Sequence, residues 1–181
     1  MWHYNRHLFQ LLLAPSRGWE DSSESGNNYE EAQRRGYLPL IGIAAVSEFL
    51  QLLYSPTLTF LGALGSAIAI FGGLFASVYA ARLFLDILVT RMVNPKANVL
   101  KINILSVYMM GLDSLYLILA NCLPAQMTFL YFLPLVSLLV LFKSTAYINV
   151  PDDRIVNYLI ICCIGVIAIP IAICAMFLLI L

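Results

Sequence analysis

Residues 58–92 read LTFLGALGSAIAIFGGLFASVYAARLFLDILVTRM. The stretch holds no proline, and its pattern predicts one long helix. Its first two-thirds are apolar and built largely from small residues. Gly65, Ala69, Gly73, Ser77 and Ala81 recur at every fourth position, with Gly72, Ala76 and Ala80 beside them. In water that much glycine weakens a helix. In lipid, small residues four apart make a smooth face that lets a second helix backbone approach closely. The stretch therefore reads as a transmembrane helix with a helix-packing face at Gly65, Ala69, Gly73, Ser77 and Ala81, the helix against which the others pack.

The rest of the composition agrees. Hydrophobic residues make up 61% of the 181-residue chain and charged residues 11%, and mean hydropathy is +0.87. A soluble domain has about 45–50% apolar and about 25% charged residues. The expected fold class is all-α: a polytopic membrane protein with five transmembrane helices. Formal net charge is zero, which gives no support to nucleic acid as a partner.

Outward from the central stretch, apolar runs and their breakers predict spans at about 38–54, 58–81, 104–121, 127–142 and 155–178, so that residues 37–181 form the membrane domain. Ser55-Pro56-Thr57 and Pro124 mark tight turns. Arg82 to Met92 carries the second helix into the cytosol or along the membrane surface, and Asn94-Pro95 stops it. Pro134 and Pro170 predict kinks. Asn149 to Asp153 is a turn with capping residues.

Residues 1–36 are the only sizeable polar region. Leu8 to Ala14 is too short and too interrupted for a secretory signal, and no small-residue cleavage site follows it. Leu8, Leu11, Leu12 and Leu13, followed by Arg17 and Trp19, predict a short helix lying in the membrane interface. Glu20 to Gly36 predicts a flexible cytosolic linker.

Basic residues orient the five-span arrangement. Arg6, Arg17, Arg34 and Arg35 precede the first span, and Arg82, Arg91, Lys96 and Lys101 lie between the second and third. Lys143 and Arg154 lie between the fourth and fifth. All ten fall on one side, which the positive-inside rule makes the cytosol. The N-terminus is thus expected inside and the C-terminus outside.

Two carboxylates fall within spans. At 1.5 Å per residue, Glu48 lies about 15 Å past Leu38 and Asp113 about 14 Å past Ile104, so both are expected near the bilayer centre. Gln51, Ser47, Ser114 and Tyr116 are close enough in sequence to solvate them, and no Lys, Arg or His lies at that depth. The acids are protonated, or share one proton, or bind a cation on a polar path; an ionisable residue in this setting is a functional hypothesis by default. The competing reading is a neutral carboxyl bonding across helices as packing glue. Glu48, Asp113, Gln51 and Tyr116 form the candidate intramembrane polar site.

Other groups carry less. Arg82 and Asp86, one turn apart, predict a surface pair worth a few tenths of a kcal/mol. His3 and His7 share a helix face and read as interfacial polar residues without metal. Cys122, Cys162, Cys163 and Cys174 read as small apolar packing residues, with a Cys122–Cys174 bridge as the alternative. Nucleotide-binding glycine loops, HExxH, CxxC and GxSxG motifs are all absent. No cofactor, metal or enzymatic activity is expected.

Three stretches carry a resemblance. They are Leu11-Leu12-Leu13-Ala14-Pro15-Ser16-Arg17-Gly18-Trp19-Glu20; the Gly- and Ala-rich second span with its basic loop; and Leu141-Phe142-Lys143-Ser144 followed by Asn149-Val150-Pro151 and a last hydrophobic helix. Over nearly its full length the chain resembles the Yip-domain family of five-span membrane proteins, in particular its small bacterial members. The resemblance implies an integral protein of the bacterial cytoplasmic (inner) membrane with a cytosolic N-terminus. Eukaryotic relatives engage prenylated Rab GTPases in vesicle traffic. Their Asp-Leu-Tyr-Gly-Pro signature is absent here, and that role is not carried over.

The expected function is a non-enzymatic membrane adaptor, scaffold or bilayer-organising protein. Its partners would be the lipid bilayer and a protein engaged through residues 1–36 and the cytosolic loops, with homo-oligomerisation open. The alternative is a small transporter or channel-like protein that uses Glu48 and Asp113 as paired carboxylates.

Overall fold

A computed structural model describes residues 2–24, 29–123 and 133–180. Every regular element among them is helical: α1 (Trp2–Leu13), α2 (Pro15–Glu24), α3 (Tyr29–Leu53), α4 (Phe60–Val93), α5 (Val99–Cys122), α6 (Leu133–Ile148) and α7 (Asp152–Ile180). Helices α3, α4, α5 and α7 are long and apolar enough to cross a membrane.

The single helix expected over residues 58–92 is α4. Thr59 caps it by accepting a hydrogen bond from the Gly62 amide at 3.1 Å, and it closes in a π-turn over Val89–Val93. Its 34 residues span about 51 Å, well beyond a hydrocarbon core of about 30 Å. Leu61, Leu64, Ile68, Phe71, Phe75, Tyr79 and Leu83 form an exposed apolar ridge along one side of it. In water such a ridge is a large unsatisfied surface; in a bilayer it is ordinary lipid contact.

The opposite side of α4 takes the last helix. A Cβ on Gly73 would lie 2.7 Å from Cys174 Sγ and 3.0 Å from Cys174 Cα, and one on Gly72 would lie 2.9 Å from the Phe177 ring. Further along, Gly165 of α7 sits against Leu85 and Phe84. Ala69, Gly73, Ser77 and Ala81 are buried, whereas Gly65 has nothing within 4 Å of its Cβ position. The most enclosed helix is α5 rather than α4: every residue from Ile102 to Leu112 is buried.

Several boundaries differ from the sequence-based expectation. Helix α3 begins at Tyr29, nine residues before the expected Leu38, so the second half of the expected linker is helix. Residues 25–28 of that linker lie outside the described residues. Glu31 and Arg35 pair at 2.8 Å along this first turn, and the Arg82 guanidinium stacks 4.5 Å above the Tyr29 ring. Helix α6 runs six residues past the expected 142, and the first part of the expected fourth span, with the turn at Pro124, lies outside the described residues. Pro134 stands in the first described turn of α6, at the edge of what is described. Pro39 and Pro170 both lie inside long helices. Each follows a π-turn that ends two residues earlier, over Ala32–Tyr37 and Ile164–Ala168. A widened turn shifts the preceding carbonyls away from the proline ring, which would otherwise clash with the carbonyl four residues back.

The N-terminal segment is built into the bundle. Helices α1 and α2 form a hairpin joined by a hydrogen bond from Gln10 Nε2 to Asp21. Gly18 admits Leu11 so closely that a Cβ there would lie 2.8 Å from its Cδ2. Tyr4 donates to the Val107 carbonyl at 2.8 Å and stacks on Tyr108 at 5.0 Å. Trp19 Nε1 donates to the Val140 carbonyl at 3.1 Å, and its ring stacks on Tyr147 at 5.1 Å. Leu8 and Leu11 are buried between them. The helix expected here is present, and it packs on α5 and α6. A buried Tyr and Trp each need a polar partner for their one donor, and both find it on a bundle backbone. His7 meets the edge of Tyr108 at 6.3 Å. Burial holds its imidazole below the ordinary value against the opposing pull of Asp21.

Three connections gather at this end of the bundle. Arg154 Nη1 donates to the Met92 carbonyl at 2.7 Å, Asn94 Nδ2 to the Asn149 carbonyl at 2.9 Å, and Lys101 Nζ to the Tyr147 carbonyl at 3.0 Å. Arg82 does not pair with Asp86. It turns inward and donates to Asn103 Oδ1 at 3.0 Å, because Tyr29 and Asn103 together offer a π-face and an acceptor that a solvated neighbour does not match.

Candidate functional site

The four residues of the expected polar site separate into two places. Glu48 opens a 3₁₀ turn, Glu48–Leu53, that ends α3, and α5 ends one residue after Asn121. There Glu48 Oε1 accepts from Asn121 Nδ2 at 2.6 Å, and Oε2 accepts from Gln51 Nε2 at 3.1 Å. Gln51 Nε2 also reaches Asn121 Oδ1 at 2.8 Å, and Asn121 Nδ2 reaches Ser47 Oγ at 2.9 Å. Tyr54 donates to the Cys122 carbonyl at 3.2 Å beside them. Helix α3 ends at Leu53, so Glu48 lies five residues from the helix end remote from the hairpin, in a closed network of side-chain amides.

Asp113 is different. It lies nine residues before the end of α5, about 14 Å into the helix. Its Oδ2 is buried and has no hydrogen-bond partner among the described residues, while the buried Tyr116 hydroxyl and Ser137 Oγ lie beside each other and reach no other described group. All three side chains line one cavity of ≈ 280 Å³ between α4, α5, α6 and α7, whose other walls include Ile70, Leu74, Pro170 and Cys174. Glu48 is not among its lining residues. Asp113 and Asn121 are eight residues apart on α5, a rise of about 12 Å, and the Glu48 carboxylate is held at Asn121. The two acids do not meet, so the shared proton and the paired-carboxylate path have no geometric basis.

Sequence reasoning missed Asn121 and Ser137. An amide near a span end is a detectable signal, because such side chains bond across helices in lipid; a lone serine such as Ser137 gave none. All four cysteines are free. Cys174 is committed to the close contact with Gly73, and the alternative of a Cys122–Cys174 bridge is corrected. Among the described residues no group of three His, Cys, Asp or Glu side chains is placed to hold a metal.

The Glu48 network makes a direct prediction. Asn121→Leu strips Glu48 Oε1, Ser47 Oγ and Gln51 Nε2 of a shared partner and should cost about 1–3 kcal/mol. Glu48→Gln keeps an acceptor for Asn121 and should cost under about 1 kcal/mol. Denaturant unfolding of the purified protein in mild detergent measures both, and a costlier Glu48→Gln would show that the carboxylate has a role beyond the network.

Fold and site together define a chain whose described residues are helical, with four helices long and apolar enough to cross a membrane and a largely apolar cavity between three of them and α6. No family model, curated protein or solved structure matches it.

Proposed function

We propose that the chain is a non-enzymatic integral membrane protein of the Yip-domain type, with five spans, that works as a scaffold through a preformed face at its cytosolic end. The remaining span is the one expected at about 127–142, of which α6 is the described part. The N-terminus is inside and the C-terminus outside, in a bacterial cytoplasmic membrane. The supporting observation is the docked hairpin. Residues 2–24 are docked on the bundle: α1 and α2 are held to α5 and α6 by Tyr4 and Trp19. Their outer side still presents Phe9 at 54% and Leu13 at 85% exposure, with Arg6 and Arg17 nearby. The orientation is supported by the contacts that gather the Asn94, Asn149 and hairpin segments at one end, because the ten basic residues lie on or beside those segments.

Photo-crosslinking in cells from Leu13 and Phe9 tests this reading. A discrete protein adduct from wild-type Leu13, lost when Trp19→Ala releases the hairpin, is the expected result. Adducts to lipid alone would end the protein-scaffold reading and leave a bilayer-organising one. A transport reading is favoured by a single feature, the unpartnered Asp113 oxygen, and now has one acid instead of two.

A further inference from the structure

The cavity between α4, α5, α6 and α7 poses a chemical question that the scaffold reading does not use. Three buried oxygens line it: Asp113 Oδ2, which has no partner among the described residues, and the Tyr116 hydroxyl and Ser137 Oγ, which lie beside each other and reach no other described group. Each buried polar atom left unmet costs about 1–3 kcal/mol. Lipid chains supply no donors. Among the described residues no Lys, Arg or His lines the cavity, so they offer no counter-charge to the acid. Most of the wall is hydrocarbon from Ile70, Leu74, Leu117, Ile167 and Ile171. A volume of ≈ 280 Å³ far exceeds the roughly 30 Å³ share of each water that the three oxygens could fix, and the hydrocarbon remainder of the wall holds none.

The missing partner therefore has a definite character. It carries positive charge and several N–H donors at one end, and hydrocarbon at the other. A primary ammonium has three donors and no acceptor, which matches three oxygens that are each able to accept. Its bond to a carboxylate is charge-assisted, and so stronger than a neutral one. Ile171 lines the cavity and is 64% exposed, so the mouth opens sideways between helices, where an amphiphile dissolved in the bilayer would arrive. We propose that this cavity binds a small amphiphile with a primary ammonium head, its nitrogen held by Asp113, Tyr116 and Ser137 and its hydrocarbon part lying against α4 and α7. The proposal does not involve Glu48, and it stands or falls independently of any partner of the hairpin.

The test uses the full chain in nanodiscs of phosphatidylcholine, with labelled hexylammonium and hexanol as probes and empty discs as the blank. The wild type should bind hexylammonium saturably and about 10- to 100-fold more tightly than hexanol, the ratio that a charge-assisted bond supplies. Asp113→Asn should bring the two probes to parity while hexanol still binds, which also reports that the cavity has survived the substitution. Ser137→Val, which changes no charge, should reduce the preference severalfold. Ile171→Trp, placed at the mouth, should abolish binding of both. Equal affinity of the wild type for the two probes overturns the proposal, as does an ammonium preference that persists in Asp113→Asn. Uptake no greater than that of empty discs overturns it as well.

Discussion

Replacing Trp19 with alanine is expected to free the α1–α2 hairpin while leaving the remaining helices folded. Trp19 is 2% exposed. It donates its one N–H to the Val140 carbonyl and stacks on Tyr147. Removing a buried Trp costs about 3–5 kcal/mol, and here that loss falls on the docking equilibrium of two short helices. The contacts left to hold them are Tyr4 on Val107 and Tyr108, with Leu8 and Leu11. Amide exchange over residues 2–24 should accelerate by two to three orders of magnitude, which is about 3–4 kcal/mol of lost protection, with exchange over residues 102–112 unchanged. Trp19→Phe keeps the ring contact and loses the hydrogen bond, so its effect should be near 1 kcal/mol. If the hairpin of Trp19→Ala stays as protected as the wild type, Trp19 is not what docks it.

The second large effect is expected at Gly73, and its control is Gly65. Both glycines belong to the same four-residue repeat. At Gly73 an added methyl meets the Cys174 backbone at 3.0 Å as well as its sulfur at 2.7 Å, and a backbone atom of a packed helix cannot swing aside as a side-chain tip can. Gly73→Ala should therefore push α7 off α4 and cost about 1–3 kcal/mol, with Gly73→Leu costing more. Gly65→Ala meets nothing within 4 Å and should be neutral or stabilising by up to about 1 kcal/mol through helix propensity alone. Unfolding of the two alanine variants side by side in detergent checks this. Equal effects would show that the repeat acts as one continuous face.

These two predictions mark where sequence reasoning ended. The repeat at Gly65, Ala69, Gly73, Ser77 and Ala81 identifies a face on which a helix is able to pack, because small side chains are a local property of the chain. It does not say which helix comes, or how far along the face it reaches. Cys174 lies 101 positions after Gly73, and nothing in either neighbourhood encodes the meeting. The hairpin is a similar case. Trp19 near Arg17 resembles an interfacial anchor, and only the Val140 carbonyl, 121 residues away, shows that its donor is satisfied inside the protein.

The candidate site divides along the same line. That Glu48 and Asp113 are unusual could be read directly, since an acid within an apolar run stands out wherever it lies. Their partners could not be read, because hydropathy finds apolar runs but not the side chains that meet across helices. Helix α3 ends at Leu53, one residue from the expected end, and what draws Glu48 into a network is Asn121, 73 residues away. The chain alone determined that this protein is helical, that it suits lipid rather than water, and that α4 is a single long helix. Each follows from composition and short-range periodicity, which need no partner to be legible. Tertiary structure alone decided that the two acids have separate fates, one closed into an amide network and one left facing an apolar cavity. Burial and hydrogen-bond satisfaction depend on which distant side chains arrive, and local sequence carries no record of that.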